Sequence, residues 1–189
     1  MTTALDVVPS LGADIVKASW RRCLTDYGLD RAMRKPIERV EHATVRDLRG
    51  QMENVLAESS TVIDRVRRIA ADTGNVVLVS NSNGIVVTSF ADSNASQEIA
   101  REGLETGSVW HEGRVGTNGI GTCLISRQPI TVYGGAHFNE SFRHFTCSAA
   151  PIFGPDGRVI AAFDMSGRAV PGSSDGSFAQ YFVREAASQ

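Results

Sequence analysis

The sequence predicts an α+β fold with a mainly antiparallel central sheet flanked by helices and preceded by an N-terminal helical segment. Two pairs of short β-rich runs are each joined by turn-forming residues, which indicates hairpins rather than single strands between helices. Helical hydrophobic periods lie before and between these pairs. A chain of 189 residues that is 42% hydrophobic can bury one good core, so we expect one main domain.

The first predicted element is an amphipathic helix from Leu11 to Tyr27, which Gly28 ends. Its larger apolar residues recur at offsets of three and four and therefore share one face. These residues are Val16, Trp20, Leu24 and Tyr27. Together with a second stripe at Val55, Val62 and Ile69, it has more hydrophobic surface than one small sheet obviously covers, which predicts a homodimer formed through helices.

A longer helical period runs from Asp47 to Thr73, and Gly74 supplies its end. Ser59, Ser60 and Thr61 interrupt it, and these residue types are weak helix formers that often cap a new start. The pattern therefore also permits two consecutive helices.

The two hairpins account for most of the predicted sheet. Residues 76–80 and 85–90 are β-branched runs joined by "NSNG", whose Asn and Gly tolerate positive φ. Near the end of the chain, "CSAAPIF" and "RVIAAFDMSG" flank "GPDG", which combines a Pro, an Asp and a permissive Gly. In this interpretation Asp164 lies at a strand end and caps a turn.

The remaining elements lie between and after the hairpins. They are short helices near 96–104 and 140–144, a helix at 117–126, a strand at 130–134, and a last amphipathic helix from about Ser174 to Gln189 that carries Phe178, Phe182 and Val183 on one side.

Composition excludes several classes of function. A net charge of −2 and a pI near 6.1 lack the basic surplus with which proteins neutralise nucleic-acid phosphates. The sequence contains neither an apolar run long enough to span a membrane nor a signal-peptide pattern at its start, so we expect a cytoplasmic protein without a membrane partner. Cys23, Cys123 and Cys147 form no CxxC pair, and we expect them to be free thiols.

The segment "SVWHEGRVGTNGIGTCL", residues 108–124, concentrates glycines beside a tryptophan, a histidine and a glutamate. A P-loop is excluded because its lysine must follow a glycine, and the chain has no GK pair. A dinucleotide fingerprint is disfavoured because the third glycine after Gly119 and Gly121 is missing. Glycines that only allow sharp turns would leave Trp110, Glu112 and Asn118 unexplained.

A longer stretch carries a resemblance. "GSVWHEGRVGTNGIGTCLISRQPITVYGGAHF", followed by "TCSAAPIFGPDGRVIAAFDMSG", resembles the N-terminal GAF domain of AcoR-like, acetoin-regulator family activators that depend on sigma-54. "IVKASWRRC" is similar to the helical segment that precedes this domain in such proteins. The resemblance covers the chain from Ile15 to about Gly167.

This resemblance implies a sensory region that binds a small-molecule effector and controls an adjoining AAA+ ATPase in cis. The implied domains are an N-terminal helical segment at 1–46, the GAF domain at 47–173 and a C-terminal helix at 174–189 that leads toward an output domain. The chain contains neither the ATPase motifs nor the DNA-binding helices, so it is either the sensor region of a longer regulator or a solitary regulator, and the uncapped last helix "FAQYFVREAASQ" favours the former. It also implies a homodimer formed through helices.

We expect the glycine segment to form one wall of a ligand pocket. Such a pocket combines apolar enclosure with a few fixed polar groups. The candidate apolar residues are Trp110, Phe138, Phe142 and Cys147, and the candidate polar contacts are Asn118, Thr122 and His137.

Each candidate also has a structural interpretation. Trp110 and Cys147 are equally typical of a core, His137 of a satisfied buried histidine, and Asn118 of a helix cap. Glu112 is as typical of a turn cap or a pair with Arg114 as of a ligand contact, and we expect it to be solvated.

Other functions remain open at this stage. His111, His137, His144, Cys123 and Cys147 include enough ligand types for zinc or iron, although no paired motif appears, and we expect no metal and no cofactor. The GAF fold is also that of free methionine sulfoxide reductases, whose chemistry needs two neighbouring thiols, and we expect no enzyme activity. A dimerisation and docking module without ligand is the third alternative.

Overall fold

The computed structural model describes residues 12–170. The α-helices in this range are α1 (Ala13–Thr25), α2 (His42–Gln51), α3 (Glu53–Glu58), α4 (Ser60–Thr73), α5 (Asn94–Ala100), α6 (Glu112–Val115) and α7 (Gly119–Ser126). The strands are β1 (Val76–Asn81), β2 (Val86–Phe90), β3 (Ile130–Tyr133), β4 (Phe145–Phe153) and β5 (Val159–Arg168). Two short 3-10 turns lie at Gly134–Ala136 and Glu140–Phe142.

The five strands form one sheet in the order β2-β1-β5-β4-β3, and every neighbouring pair is antiparallel. The predicted α+β class is therefore confirmed. Strand β5 lies in the middle, with Asp164 opposite Leu78 of β1 on one side and Ala149 of β4 on the other. Side chains that face each other in this way share one face of the sheet.

The two faces of the sheet are covered by different elements. We call the first the polar face, because its central strand carries Asp164 and Ser166 among apolar neighbours such as Leu78 and Phe145. Helices α1, α5, α6 and α7 and the connections between them cover it.

We call the second the apolar face. Its sheet side chains include Val77, Val79, Phe163 and Met165, and they form one cluster with residues of the helices that precede the sheet. The buried residues that this part of the chain contributes are Ile63, Val66 and Ala70 of α4 and Met52, which lies between α2 and α3.

Both hairpin turns form as their residue types predict. The Asn81 side-chain carbonyl accepts hydrogen bonds from the backbone N–H groups of Asn83 and Ile85, and Gly84 follows with φ of 75°. In the second turn, Gly157 has φ of 74°. These local signals set the register of the hairpins.

Several boundaries differ from the sequence prediction. The helical region before the sheet begins at His42 rather than Asp47, and it breaks at Met52 and at Ser59 into three helices. The short helix α6 was not predicted. The predicted helix at 174–189 lies outside the described residues.

The apolar stripe predicted for the first helix is only partly buried within the described residues. Leu24 is 56% exposed, whereas Ser19 and Cys23 are fully buried. The helix turns its small residues, rather than Leu24, toward the covering layer, because they allow the close approach of α6 and α7 described below. Within residues 12–170, no helix combines the length and the apolar character needed to cross a bilayer.

Candidate functional site

The glycine segment folds into two short helices that meet at a sharp turn. Gly116 lies in this turn with φ of 84°, a conformation that favours glycine, and a Cβ there would lie 2.8 Å from the Phe138 side chain. A Cβ on Gly121 would lie 2.4 Å from the carbonyl oxygen of Trp110 and 2.5 Å from the backbone nitrogen of Glu112. The glycines therefore bring α7 against α6 at backbone contact.

Asn118 holds this arrangement together. Its side-chain oxygen accepts from the Gly121 N–H at 2.8 Å and caps α7. Its side-chain nitrogen donates to the carbonyl groups of Trp110 at 3.2 Å and Gly116 at 2.8 Å. The Thr122 hydroxyl accepts from the backbone N–H of Asn118 at 3.2 Å. Asn118 and Thr122, two of the three candidate polar contacts, thus hold the backbone in place, and their contact with a ligand stays a prediction.

Glu112 is the anchor for α1, contrary to the expectation that it is solvated or paired with Arg114. It is fully buried, and it accepts from the Arg22 guanidinium at 2.7 and 3.0 Å and from the Ser19 hydroxyl at 2.6 Å. Arg114 instead lies 3.7 Å from Glu38. Burial of this carboxylate is possible because it is paired and hydrogen-bonded.

Further contacts extend the attachment of α1. Ser19 shares a hydrogen bond of 2.7 Å with Thr117, and the Trp20 indole N–H donates to the Ala136 carbonyl at 2.8 Å. The Trp20 ring meets Phe138 edge-on at 5.6 Å, and the Arg31 guanidinium lies 4.5 Å from the centroid of the Trp20 ring. Helix α1 and the segment after it therefore cover the glycine segment and the connection at 134–142.

The candidate aromatic residues pack together beneath this cover. Trp110 is 2% exposed, its ring centroid lies 5.1 Å from that of Phe142, and its indole N–H donates to the Gly103 carbonyl at 3.0 Å. Phe142 in turn stacks at 6.3 Å on Phe145 of β4. The aromatic cluster therefore reaches from the loops to the polar face of the sheet.

His137 and Cys147 form a buried polar pair beside this cluster. The Gly134 carbonyl can only accept, so His137 Nδ1 donates to it at 3.0 Å and Nε2 is the acceptor in the neutral ring. Nε2 lies 3.4 Å from Cys147 Sγ, so the thiol donates to it. Burial lowers the pKa of His137 to about 4 and raises the pKa of the Cys147 thiol. Both groups are therefore neutral at physiological pH.

Asp164 lies at the centre of the polar face. The prediction that it lies at a strand end and caps a turn is therefore wrong. It is 1% exposed, and its Oδ1 accepts from the Ser166 hydroxyl at 2.5 Å. Among the described residues, Oδ2 has no hydrogen-bond partner. Burial raises the pKa of Asp164 to about 7, and the hydrogen bond from Ser166 opposes that rise.

Of the seven sequence-predicted residues, the structure brings five into one continuous layer on the polar face. These are Trp110, Phe138, Phe142, His137 and Cys147, all buried in the same cluster or against it. Sequence reasoning missed Ser19, Glu112 and Asp164 as parts of this layer. For Asp164 a signal was present, since "VIAAFDMSG" is apolar on both sides of the aspartate and is therefore typical of a strand buried on both faces.

The thiols and imidazoles do not assemble into a recognisable reactive centre. All three cysteines are free and buried, and burial raises the pKa of Cys123 as it does that of Cys147. A reactive thiol is expected to have a lowered pKa and some exposure. Across residues 12–170, no three His, Cys, Asp or Glu side chains are grouped so that they could hold a metal ion.

The comparison with protein families decides the relationship of this chain. The model of the MimR N-terminal domain matches residues 2–180. The chain belongs to this family.

Several curated relatives of this chain are transcriptional regulators. The chain is 28% identical over 161 residues to the acetoin catabolism regulatory protein of Cupriavidus necator, covering 85% of this chain and 24% of that protein. It is 26% identical over 163 residues to the propane 2-monooxygenase operon transcriptional activator MimR of Mycolicibacterium smegmatis, covering 85% of this chain and 27% of that protein. The chain thus spans about a quarter of the length of these relatives.

A shorter match supports the resemblance seen in the sequence. The chain is 34% identical over 91 residues to the acetoin dehydrogenase operon transcriptional activator AcoR of Bacillus subtilis, covering 48% of this chain and 15% of that protein. Together with the family match, this relative confirms the prediction of an AcoR-like activator N-terminal domain.

A solved structure shares the fold. A chain of the E. coli DhaR(N)-DhaL complex superposes with a TM-score of 0.79 at 16% identity, covering 92% of this chain and 59% of that chain. This similarity confirms the GAF-like fold.

Proposed function

We propose that this region is the effector-sensing domain of a bacterial transcriptional activator, and that a small molecule binds between the polar face of the sheet and the glycine segment. Effector occupancy then controls an adjoining AAA+ domain in the full-length protein. The family and the curated relatives support the regulatory role.

One observation carries the location of the proposed site. The polar face is where buried aromatic rings, a neutral imidazole and an unpartnered carboxyl oxygen lie together within one layer. Apolar walls with a few fixed polar groups are the chemistry of small-molecule sites. On the apolar face, by contrast, the buried cluster consists of aliphatic, methionine and phenylalanine side chains.

The cover contributed by α1 gives the proposed site a means of reporting occupancy. Glu112 and Ser19 connect α1 directly to the glycine segment. A ligand that binds one arrangement of this cover more tightly than another shifts the balance between them. We propose that such a shift reaches the AAA+ domain through the helices at the ends of this region, in a cytoplasmic homodimer formed through helices.

A thermal-shift screen tests the proposal. Small alcohols, diols, ketones and aromatic acids are added to the wild-type chain, Trp110→Phe and Phe163→Leu. A ligand that binds only the folded state raises the melting temperature by mass action. We expect at least one compound to stabilise the wild type and to lose most of its effect in Trp110→Phe.

Phe163→Leu is the matched control, because Phe163 is equally buried but lies on the apolar face. It should keep the full ligand-induced shift despite its lower starting stability. Equal shifts in all three proteins would remove the site from the polar face.

Light scattering of the same wild-type chain tests the assembly separately. We expect a dimer at tens of micromolar. A monomer under these conditions would exclude the homodimer but leave the ligand site standing.

A further inference from the structure

The last strand of the sheet ends at a cluster of charged and titratable side chains. The Glu102 carboxylate accepts from His144 Nε2 at 2.7 Å through one oxygen and from the Arg168 guanidinium through the other. Glu102 closely follows α5, His144 directly precedes β4, and Arg168 is the last residue of β5. We call these residues the exit cluster, because the chain leaves the sheet at this point.

Further hydrogen bonds hold the chain where it leaves β5. The Ala169 backbone N–H donates to the His144 carbonyl at 2.8 Å, and the Tyr133 hydroxyl donates to the Val170 carbonyl at 2.9 Å. His144 therefore contacts both Glu102, through its ring, and the departing chain, through its carbonyl. A change in the exit cluster acts on the first of these two bonds and leaves the second, from Tyr133, in place.

The exit cluster is directly joined to a backbone contact of the glycine segment. The Trp110 indole N–H donates at 3.0 Å to the carbonyl of Gly103, the residue that follows Glu102. Gly103 has φ of 112°, and a Cβ there would lie 2.8 Å from the Ile37 side chain. The backbone N–H groups of Glu102 and Gly103 both donate to carbonyl groups of α5 at 3.0 Å. A short, closely held segment therefore connects the indole of Trp110 to the carboxylate of Glu102.

We propose that Glu102 couples the glycine segment to the exit of β5. When Trp110 shifts, the segment at Gly103 shifts with it, and the Glu102 carboxylate loses or exchanges its contacts in the exit cluster. Contiguous contacts of this kind can carry a coupling free energy between distant parts of a protein. The hold on the chain that leads toward the proposed output domain then depends on the position of Trp110.

This inference rests on the proposed sensor function and adds its regulation, with Glu102 as a positioning residue. A second connection through aromatic rings must be kept separate in the test. Trp110 packs on Phe142, Phe142 stacks on Phe145, and the Phe145 ring centroid lies 4.2 Å from that of His144. Trp110→Phe keeps an aromatic ring at the first of these positions and removes the indole N–H. The variant therefore reports on the hydrogen bond of Trp110 rather than on the aromatic contacts.

The test measures hydrogen exchange of the Ala169 amide by NMR in the ligand-free chain. Exposed ion pairs add little to global stability, whereas exchange at one amide reports the local opening of its own hydrogen bond. We expect Glu102→Gln to lower the protection factor of Ala169 by about fivefold and Trp110→Phe to lower it by about threefold. In the double variant, Trp110→Phe should add less than about 1.5-fold, because the link that carries its effect is already broken.

Control variants separate this coupling from a general loosening of the exit. Tyr133→Phe removes the hydrogen bond to the Val170 carbonyl and should lower the protection of Ala169 by itself. In that background Trp110→Phe should keep its effect of about threefold, because independent contributions add. Ile63→Val lowers global stability from the apolar face and should leave the local exchange of Ala169 unchanged.

The outcomes distinguish this inference from the function on which it rests. Absence of an effect of either single variant on the Ala169 amide, or full additivity of Trp110→Phe and Glu102→Gln, overturns the coupling. Neither result bears on ligand binding, which the thermal-shift screen measures, so the sensor site can stand without this link. Conversely, a non-additive pair in a chain that no compound stabilises would keep the coupling and remove the effector site.

Discussion

The two faces of the sheet are buried to a similar degree but with different chemistry. On the apolar face, residues such as Val77, Phe163 and Met165 meet Ile63 and Val66 of α4. Where hydroxyls occur on that side, as in Ser148 and Thr131, they bond to each other at 2.9 Å. On the polar face, the layer includes an ion pair whose carboxylate is fully buried, a neutral histidine and a carboxyl oxygen that has no hydrogen-bond partner among residues 12–170.

This difference supports the polar face as the place of the proposed ligand site. Burial of apolar groups alone holds a domain together, whereas burial of polar and ionisable groups is costly unless they are paired. Unusual ionisation in an enclosed layer is a pointer to a functional site. The apolar face therefore mainly stabilises the domain, and the polar face carries the groups on which the proposed ligand site rests.

The largest expected effect comes from breaking the ion pair that fixes α1 to the polar face. Arg22→Ala leaves the fully buried Glu112 carboxylate without its cation. Removing one partner of a buried pair typically destabilises by about 3–5 kcal/mol. We expect a loss of this size in urea unfolding, measured by circular dichroism.

Arg114→Ala is the control for this variant, because Arg114 is 67% exposed in its own ion pair with Glu38. Exposed pairs of this kind contribute little, under about 1 kcal/mol. The double variant Arg22→Met, Glu112→Leu should recover much of the stability, since it removes both charges together. Equal losses for Arg22→Ala and Arg114→Ala would show that α1 is not fixed by this pair.

The next effect is a pH dependence that belongs to Asp164. Its pKa is about 7 in the folded chain and about 3.9 in an unfolded one. Between these two pKa values the folded chain binds more protons than the unfolded chain. The contribution of Asp164 to the free energy of unfolding is therefore complete below pH 4 and is lost as the pH rises to about 7. The whole decline is at most about 4 kcal/mol, and Asp164→Asn should remove it.

The stability of the wild type and of Asp164→Asn must be compared across the whole pH range, because His137 changes stability with pH in the opposite direction in both proteins. Its pKa is lowered to about 4, so its contribution is lost as the pH falls from about 6.5 to 4. The nearby Cys123 and Cys147 thiols have raised pKa values and stay neutral. Asp156→Asn, in the exposed turn between β4 and β5, is the control; if its profile changes as much as that of Asp164→Asn, the assignment is wrong.

The sequence predicted the framework of the molecule better than it predicted the site. Hairpins and helices follow from short-range signals, such as "NSNG" for the first turn and the helical period that ends at Gly74. Glu112 and Asp164 were misjudged because their environments depend on partners far along the chain. Arg22 lies 90 residues from Glu112, and no local pattern indicates that pairing.

The candidate pocket residues show the same contrast between what short-range signals predict and what distant partners determine. The chemical type of Trp110 and Phe142 predicted burial, and the structure places them together. For Asn118, helix capping was an open alternative in the sequence, and the structure shows its amide fully engaged with backbone groups. Ligand contact would depend on how the buried side chains pack around one another. The chemical type of a single residue does not determine that packing.

A third effect compares glycines that serve the two faces. Gly121→Ala places a Cβ against the backbone of Trp110 and Glu112, and overpacking of this kind destabilises by about 3 kcal/mol. Gly50→Ala, in α2, meets nothing within 4 Å and should stabilise by about 1 kcal/mol through helix propensity. Denaturant midpoints that move in the same direction for both variants would contradict the difference.

The smallest effect tests whether the two faces act independently. Ile63 is 5% exposed in the apolar cluster, and Ile63→Val should destabilise by about 1 kcal/mol. If ligand recognition is confined to the polar face, the stabilisation gained from a bound probe should be unchanged, because distant sites contribute additively. A shift that differs from wild type by more than about 0.5 kcal/mol would mean that effector binding reorganises the apolar face as well, and the signal would then pass through the sheet itself to α4.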